Sequence, residues 1–103
     1  MAGLPPITRL PSNGVLGVHF TTKAGVAELI DTIKRTPRTL VLECQEFDGG
    51  QLCHVVLAIT EKSYQDQNAT VKGYVTIGGQ RYSVTLRTFA SYGRANIRFG
   101  PRV

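Results

Sequence analysis

The chain has 103 residues, 42% of them apolar and 18% charged, with a formal net charge of +5 at neutral pH. That length supports one hydrophobic core without disulfide or metal staples. No apolar run approaches the ~20 residues of a membrane-crossing helix, no leader-type segment is evident, and Cys44 and Cys53 are too few for a secreted disulfide framework, so the expectation is a cytoplasmic protein with reduced cysteines.

Residues 1–14 hold Pro5, Pro6 and Pro11, then Ser12-Asn13-Gly14, a composition that excludes a helix or a central strand. They are expected to form an extended arm, with Leu4, Ile7 and Leu10 available to pack on the body or on a partner subunit. Residues 15–103 then form a single domain. Val15 to Phe20 (VLGVHF) reads as a short strand. Thr21 or Thr22 is placed to cap a helix running from about Lys23 to Arg35, in which Val26, Leu29, Ile30 and Ile33 fall on one apolar stripe. Asp31 and Arg35 have the spacing of a helical ion pair. Lys34 and Arg35 suit the negative end of the helix dipole, and Thr36-Pro37 stops the helix.

Thr39–Phe47 and Leu52–Thr60 read as a hairpin around Asp48-Gly49-Gly50-Gln51. Leu40, Leu42 and Cys44 share one face, opposed by Val55, Leu57 and Ile59. The run Val55-Val56-Leu57-Ala58-Ile59 is apolar on both faces, as in a strand covered on each side. Cys44 and Cys53 are expected on opposite faces of this hairpin. Glu61 to Asn68 reads as a polar loop.

Thr70–Ile77 and Gln80–Phe89 alternate at period two and are rich in Val, Thr, Tyr and Phe, so both read as strands. Gly78-Gly79 supplies the positive φ of a two-residue hairpin turn. Pairing Ile77 with Gln80 sets Val75 opposite Tyr82, Gly73 opposite Val84 and Val71 opposite Leu86 on an apolar face. The other face carries Thr76 with Arg81, Tyr74 with Ser83, Lys72 with Thr85 and Thr70 with Arg87. After a turn at Ala90–Gly93, Arg94–Phe99 repeats the alternation, with Ala95, Ile97 and Phe99 on the apolar side. Gly100-Pro101 is expected to end this strand and leave Arg102-Val103 as a loose tail. The order strand, helix, hairpin, hairpin, strand gives an α+β fold. Its expected form is a twisted, mostly antiparallel sheet or half-open barrel of about five to six strands with one amphipathic helix. Apolar surface left uncovered by so short a helix makes a homodimer the expected assembly.

The charge is unevenly placed. Met1–Gln67 has six Lys/Arg against seven Asp/Glu, whereas Asn68–Val103 has Lys72, Arg81, Arg87, Arg94, Arg98 and Arg102 and no acid. Five of the eight aromatics, Tyr74, Tyr82, Phe89, Tyr92 and Phe99, lie in the same 36 residues. One sign of charge among aromatics points to a polyanion. Single strands are bound by cations that track phosphates and by rings on which bases stack. Lys72, Arg81, Arg87, Arg94 and Arg98 are the expected phosphate contacts, and Tyr74, Phe89 and Tyr92 the stacking rings; Tyr82 and Phe99 belong to the core. Duplex DNA is disfavoured because the sole helix is not basic, while RNA would fit the same surface.

Other chemistry finds little footing. Cys44, Cys53, His54 and His19 match no zinc spacing, and no Walker loop, dinucleotide fingerprint or nucleophile elbow is present. No enzymatic activity, metal or cofactor is therefore expected. The run VKGYVTIGGQRYSVTLRTF, followed by GRANIRF, together with the chain length, resembles the small β-rich single-strand-binding and transcription-cofactor proteins of phages. The chain carries no RNP-type motif and no complete OB-fold signature. The resemblance implies a dimeric single-stranded-DNA binder that recruits or assists RNA polymerase. The alternative is a small effector or adaptor that docks the same basic face on an acidic partner protein.

Overall fold

The computed structural model describes residues 3–20, 22, 24–46 and 49–103. Thr21, Lys23, Phe47 and Asp48, named above as a helix cap, a helix start, a strand end and a turn residue, lie outside the described residues, as do Met1 and Ala2 of the arm.

Six strands run β1 (Val15–Val18), β2 (Thr39–Glu46), β3 (Leu52–Gln65), β4 (Asn68–Ile77), β5 (Gln80–Phe89) and β6 (Arg94–Arg102), with helix α1 (Gly25–Arg35) between β1 and β2. Every neighbouring pair is antiparallel, and β1 pairs with β6 as well as β2, so the sheet closes into a six-stranded barrel. Alternation decides what fills it. Leu16, Leu40, Leu42, Cys44, Val55, Leu57, Val71, Val75, Val84, Leu86, Ala95 and Ile97 point inward and are buried. Leu29 and Ile33 join the same cluster, so the apolar stripe of α1 covers one mouth of the barrel. Tyr82 and Phe99 pack half-buried against this core.

The β4–β5 hairpin has the register read from the sequence, from Thr70↔Arg87 through Ile77↔Gln80. Gly78 and Gly79 take φ of 56° and 80°, as a two-residue turn of matching twist requires. Elsewhere the structure corrects the reading. The residues 61–68 are not a loop: β3 continues to Gln65, pairs with β4 from Gln65↔Asn68 to Glu61↔Lys72, and bulges between Ile59 and Glu61. This half of β3 shows mostly solvent-facing polar side chains, so apolar alternation gave no sign of it.

β6 likewise runs through Gly100-Pro101 to Arg102, opposite Tyr82, and the Val103 amide donates to the Arg81 carbonyl at 2.8 Å. Beyond Arg98 no β1 residue partners β6, and a proline without an N–H is tolerated on such an edge. The β2–β3 register sets Cys44 opposite Cys53. Both therefore lie on the inner face, because Cys53 shares the parity of Val55 and Leu57.

The helix differs at both ends. It begins at Gly25 with Ala24 as N-cap and no side-chain cap; the Thr22 hydroxyl donates instead to Glu28 Oε2 at 3.0 Å. A Cβ at Gly25 would lie 2.5 Å from the Phe20 ring, so the first turn sits on that side chain. Arg35 donates to the Thr32 hydroxyl at 3.4 Å rather than pairing with Asp31. The C-terminal carbonyls are met from β3. Lys62 Nζ donates to the Ile33 and Thr36 carbonyls, each at 2.9 Å, placing a cation at the negative end of the dipole. The arm is held by backbone: the His54 amide donates to the Pro5 carbonyl at 2.9 Å, and the Ile7 amide to the His54 carbonyl at 3.0 Å.

Where β3 bulges, β4 comes unusually close. A Cβ on Gly73 would collide with the Ala58 carbonyl oxygen. Gly73→Ala must push two paired strands apart and should cost about 1–3 kcal/mol, the usual penalty of overpacking, read as a lower urea midpoint at unchanged m-value.

Candidate nucleic-acid interface

The outward residues of β4, β5, β6, β1 and β2 fall into rows across the barrel, because directly paired residues point to the same side about 4.5–5.5 Å apart. One row reads Thr70–Arg87–Asn96–Gly17–Gln45. The next reads Glu61–Lys72–Thr85–Arg98–Val15. Phe89 lies opposite Arg94. Arg87, Phe89, Arg94 and Asn96 therefore form a two-by-two block on β5 and β6, with Arg98 alongside.

Within this block the Arg87 guanidinium sits 5.7 Å from the centre of the Phe89 ring, a cation–π distance. Tyr92 follows on a single 3-10 turn (Ala90–Tyr92) that ends at Gly93 with φ 64°. It is 77% exposed, the most exposed large hydrophobic side chain among the described residues. That turn is anchored from beneath. Asn68 Oδ1 accepts from the Ala90 amide at 2.8 Å and from the Thr88 hydroxyl at 3.0 Å. The buried Thr88 oxygen in turn accepts from the Ala69 amide at 2.8 Å.

The other expected contacts lie apart from the block. Tyr74 and Arg81 are neighbours near the opposite end of the β4–β5 hairpin, and the Arg81 guanidinium stands 4.7 Å from the centre of the Tyr74 ring. Tyr74 is four residues along β4 from Thr70, the partner of Arg87, a distance of roughly 13 Å along the strand. Lys72 lies between the two groups, with Glu61 Oε2 at 3.8 Å from its Nζ. The last third of the sequence is free of acids, but β3 brings one against it. Of the eight expected residues, the structure thus gathers Arg87, Phe89, Tyr92, Arg94 and Arg98. It sets Tyr74 and Arg81 aside and gives Lys72 an acidic neighbour.

A cleft of about 640 Å³ opens next to the block. Its floor is the outer surface of β1 at Gly17 to His19, and its walls include Gln45, Glu46, Gly49, Phe89, Tyr92, Arg94 and Asn96. Gly17, His19, Gln45 and Asn96 were not among the residues expected from sequence. Asn96 alternates with Arg94 and Arg98 along β6 and was legible as outward-facing, whereas Gly17 and Gln45 reach the site only because β1 closes the barrel onto β6.

Among the described residues no three of His, Cys, Asp and Glu come together as metal ligands, and no helix is long and apolar enough to cross a membrane. The two cysteines are free thiols. Burial, with Cys53 and then Glu43 adding to it, pushes the Cys44 thiol well above its ordinary range. The Cys53 thiol is raised less, by burial and then by Glu46. Comparisons with protein-family models, with curated proteins and with solved structures find no match. The protein is defined by its architecture, a closed six-stranded antiparallel barrel with one helix, and by the arginine–aromatic block on its outer wall.

Because the thiolate is the reactive form, a disulfide-exchange reagent at mildly alkaline pH should label one thiol in the native protein and the second only on unfolding. Cys53→Ser should abolish the native-state reaction and leave Cys44 silent until denaturant is added.

Proposed function

We propose that the protein is a non-catalytic binder of single-stranded nucleic acid. The strand lies over the outer face of β5 and β6, with its phosphates at Arg87, Arg94 and Arg98. Its bases stack on Tyr92 and on Phe89 together with the Arg87 guanidinium above it. The observation that carries this reading is the two-by-two block of Arg87, Phe89, Arg94 and Asn96, extended by Arg98 and the exposed Tyr92. Cations and stacking surfaces alternate there at the spacing of single side chains, the arrangement that suits a flexible strand rather than a rigid duplex. Lys72, Tyr74 and Arg81 are peripheral contacts in this reading: Lys72 has Glu61 beside it, and Tyr74 and Arg81 lie nearer the other end of the β4–β5 hairpin, with Tyr74 roughly 13 Å along the strand from the partner of Arg87.

DNA is the expected strand and RNA would meet the same chemistry. A role beside RNA polymerase rests on the resemblance to phage single-strand-binding cofactors alone. The reading includes a homodimer. On the outer face of the β2–β3 hairpin, Val41 lies opposite Val56, 43% and 47% exposed, on strands other than the two that carry the arginine block. Two copies joined there would keep their basic faces in solvent. Sedimentation equilibrium should find a dimer that Val56→Lys dissociates; a wild-type monomer would remove the dimer from the proposal without touching the strand-binding face.

The decisive measurement is fluorescence anisotropy with labelled single-stranded and duplex oligonucleotides over a range of salt. The single strand should bind more tightly, and log K should fall linearly with log salt as counterions are released. Arg87→Ala with Arg94→Ala should weaken binding and flatten that slope by about 0.7 for each phosphate no longer neutralised. Tyr92→Ala should cost about 1–3 kcal/mol of stacking with the slope unchanged. No binding of any strand at low salt would refute the proposal and turn attention to an acidic protein partner for the same face.

A further inference from the structure

We infer that Tyr74 and Arg81, peripheral to the arginine block, form a second stacking station, and that one bound strand runs along β5 from the Arg87–Phe89 pair to it. The inference rests on the strand-binding reading and deepens it by giving the strand a path and a length. Two cation–π pairs carry it. The Arg87 guanidinium is 5.7 Å from the centre of the Phe89 ring, and the Arg81 guanidinium is 4.7 Å from that of Tyr74. Each pair sets a cation for a phosphate beside a ring for a base.

Both pairs face the same way. Arg81, Ser83, Thr85, Arg87 and Phe89 alternate along β5 with Tyr82, Val84, Leu86 and Thr88, which pack inward. Tyr74 lies opposite Ser83 and so shares its side. Arg81 and Arg87 are six residues apart, about 20 Å along the strand. Between them the outward positions of β5 carry only Ser83 and Thr85. The Ser83 hydroxyl donates to the Pro101 carbonyl at 3.1 Å, and a Cβ on Gly100 would lie 2.7 Å from that hydroxyl oxygen, so β6 passes close beside it. Thr85 has Lys72 on one side and Arg98 on the other. Short side chains thus separate the two pairs, with cations flanking them for the phosphates in between.

The acids set the direction of the path. None of the residues of β5 or β6 is an Asp or Glu. A polyanion turned across the sheet past β4 approaches Glu61, which stands beside Lys72. Turned the other way, past β1, it approaches Glu43, outward on β2 between the buried Leu42 and Cys44. A course along β5 meets Arg87, Arg98 and Arg81 in turn and no acid on either of the two strands beneath it. A single strand advances about 3.4 Å per nucleotide when stacked and roughly twice that when drawn out, so ~20 Å takes about three to six nucleotide steps. A trinucleotide has two steps and cannot reach both stations.

The test uses anisotropy at one fixed low salt concentration with labelled dT9, and unlabelled dT3 as its competitor. A nonamer offers seven registers to a three-nucleotide site, so the wild-type dT9-to-dT3 affinity ratio should exceed about sevenfold by at least a further tenfold, which is within the range of one stacked base. Tyr74→Ala, and separately Arg81→Ala, should each lower that ratio by about tenfold, whereas Tyr74→Phe, which keeps the ring, should preserve it. Titration should saturate at one dT9 per chain. A wild-type ratio near sevenfold, or a ratio that Tyr74→Ala and Arg81→Ala leave unchanged, would overturn the second station while leaving strand binding in place. Two dT9 strands per chain would overturn the shared path. Absence of dT9 binding by the wild type would fail the underlying reading itself.

Discussion

Five antiparallel strands joined by hairpins end in two edges, each with a row of unpaired N–H and C=O groups. Here those edges belong to β2 and β6, and β1 bridges them, pairing with Cys44–Glu46 of one and Asn96–Arg98 of the other. Leu16 pairs with Glu46 on one side and Ile97 on the other, and its side chain is 1% exposed. This short strand converts an open sheet into a barrel. The curvature of the wall, the filling of the interior and the meeting of β2 with β6 residues on the outside all depend on it. The arginine block needs only the β5–β6 pairing. The cleft, in contrast, exists only because closure brings Gln45 and Gly17 around to Asn96.

The interior constrains the exterior in a second way. Because side chains alternate strictly, every inward Val, Leu or Ile along β4, β5 and β6 commits its neighbour to solvent. Val71, Val75, Val84, Leu86 and Ile97 inside fix Lys72, Tyr74, Thr85, Arg87 and Arg98 outside. A one-residue slip of β5 or β6 would bury an arginine without a partner, and a slip of β4 would bury Lys72. The same hydrophobic packing that stabilises the barrel thus holds its basic residues in register. Asn68 and Thr88 do this for Tyr92, bracing its turn from below with buried hydrogen bonds.

What the sequence made legible follows from how local each signal is. The β4–β5 register could be read to the residue because Gly78-Gly79 sets it and alternation runs unbroken on both sides. The helix stripe was equally plain, since Leu29 and Ile33 sit one turn apart. Three features were not readable. The outer half of β3 is polar on its exposed positions, so it resembled a loop. The cap on α1 comes from Lys62, 26 and 29 residues away from the carbonyls it meets, and no local pattern announces it. Closure by β1 is a pairing between the two ends of the chain, separated by about 80 positions. The candidate site divides along the same line: its arginines and rings lie close together in sequence, while Gly17 and Gln45 join them through tertiary pairing alone.

The Pro-rich arm answers a problem created by the length of β3. That strand serves two neighbours in succession. β2 pairs with it from Leu52 to Ala58, whereas β4 pairs with it only from Ala58 onward. The β4-facing edge before Ala58 is thus left without a strand from within the barrel, and His54 directs both its N–H and its C=O there. Pro5 and Ile7 meet those two groups, and the Leu4 carbonyl lies 3.0 Å from the imidazole Nδ1. The two prolines bring no N–H of their own, so the arm closes the gap without offering a fresh row of donors. It works as an edge guard, leaving foreign strands little to pair with along this stretch of β3.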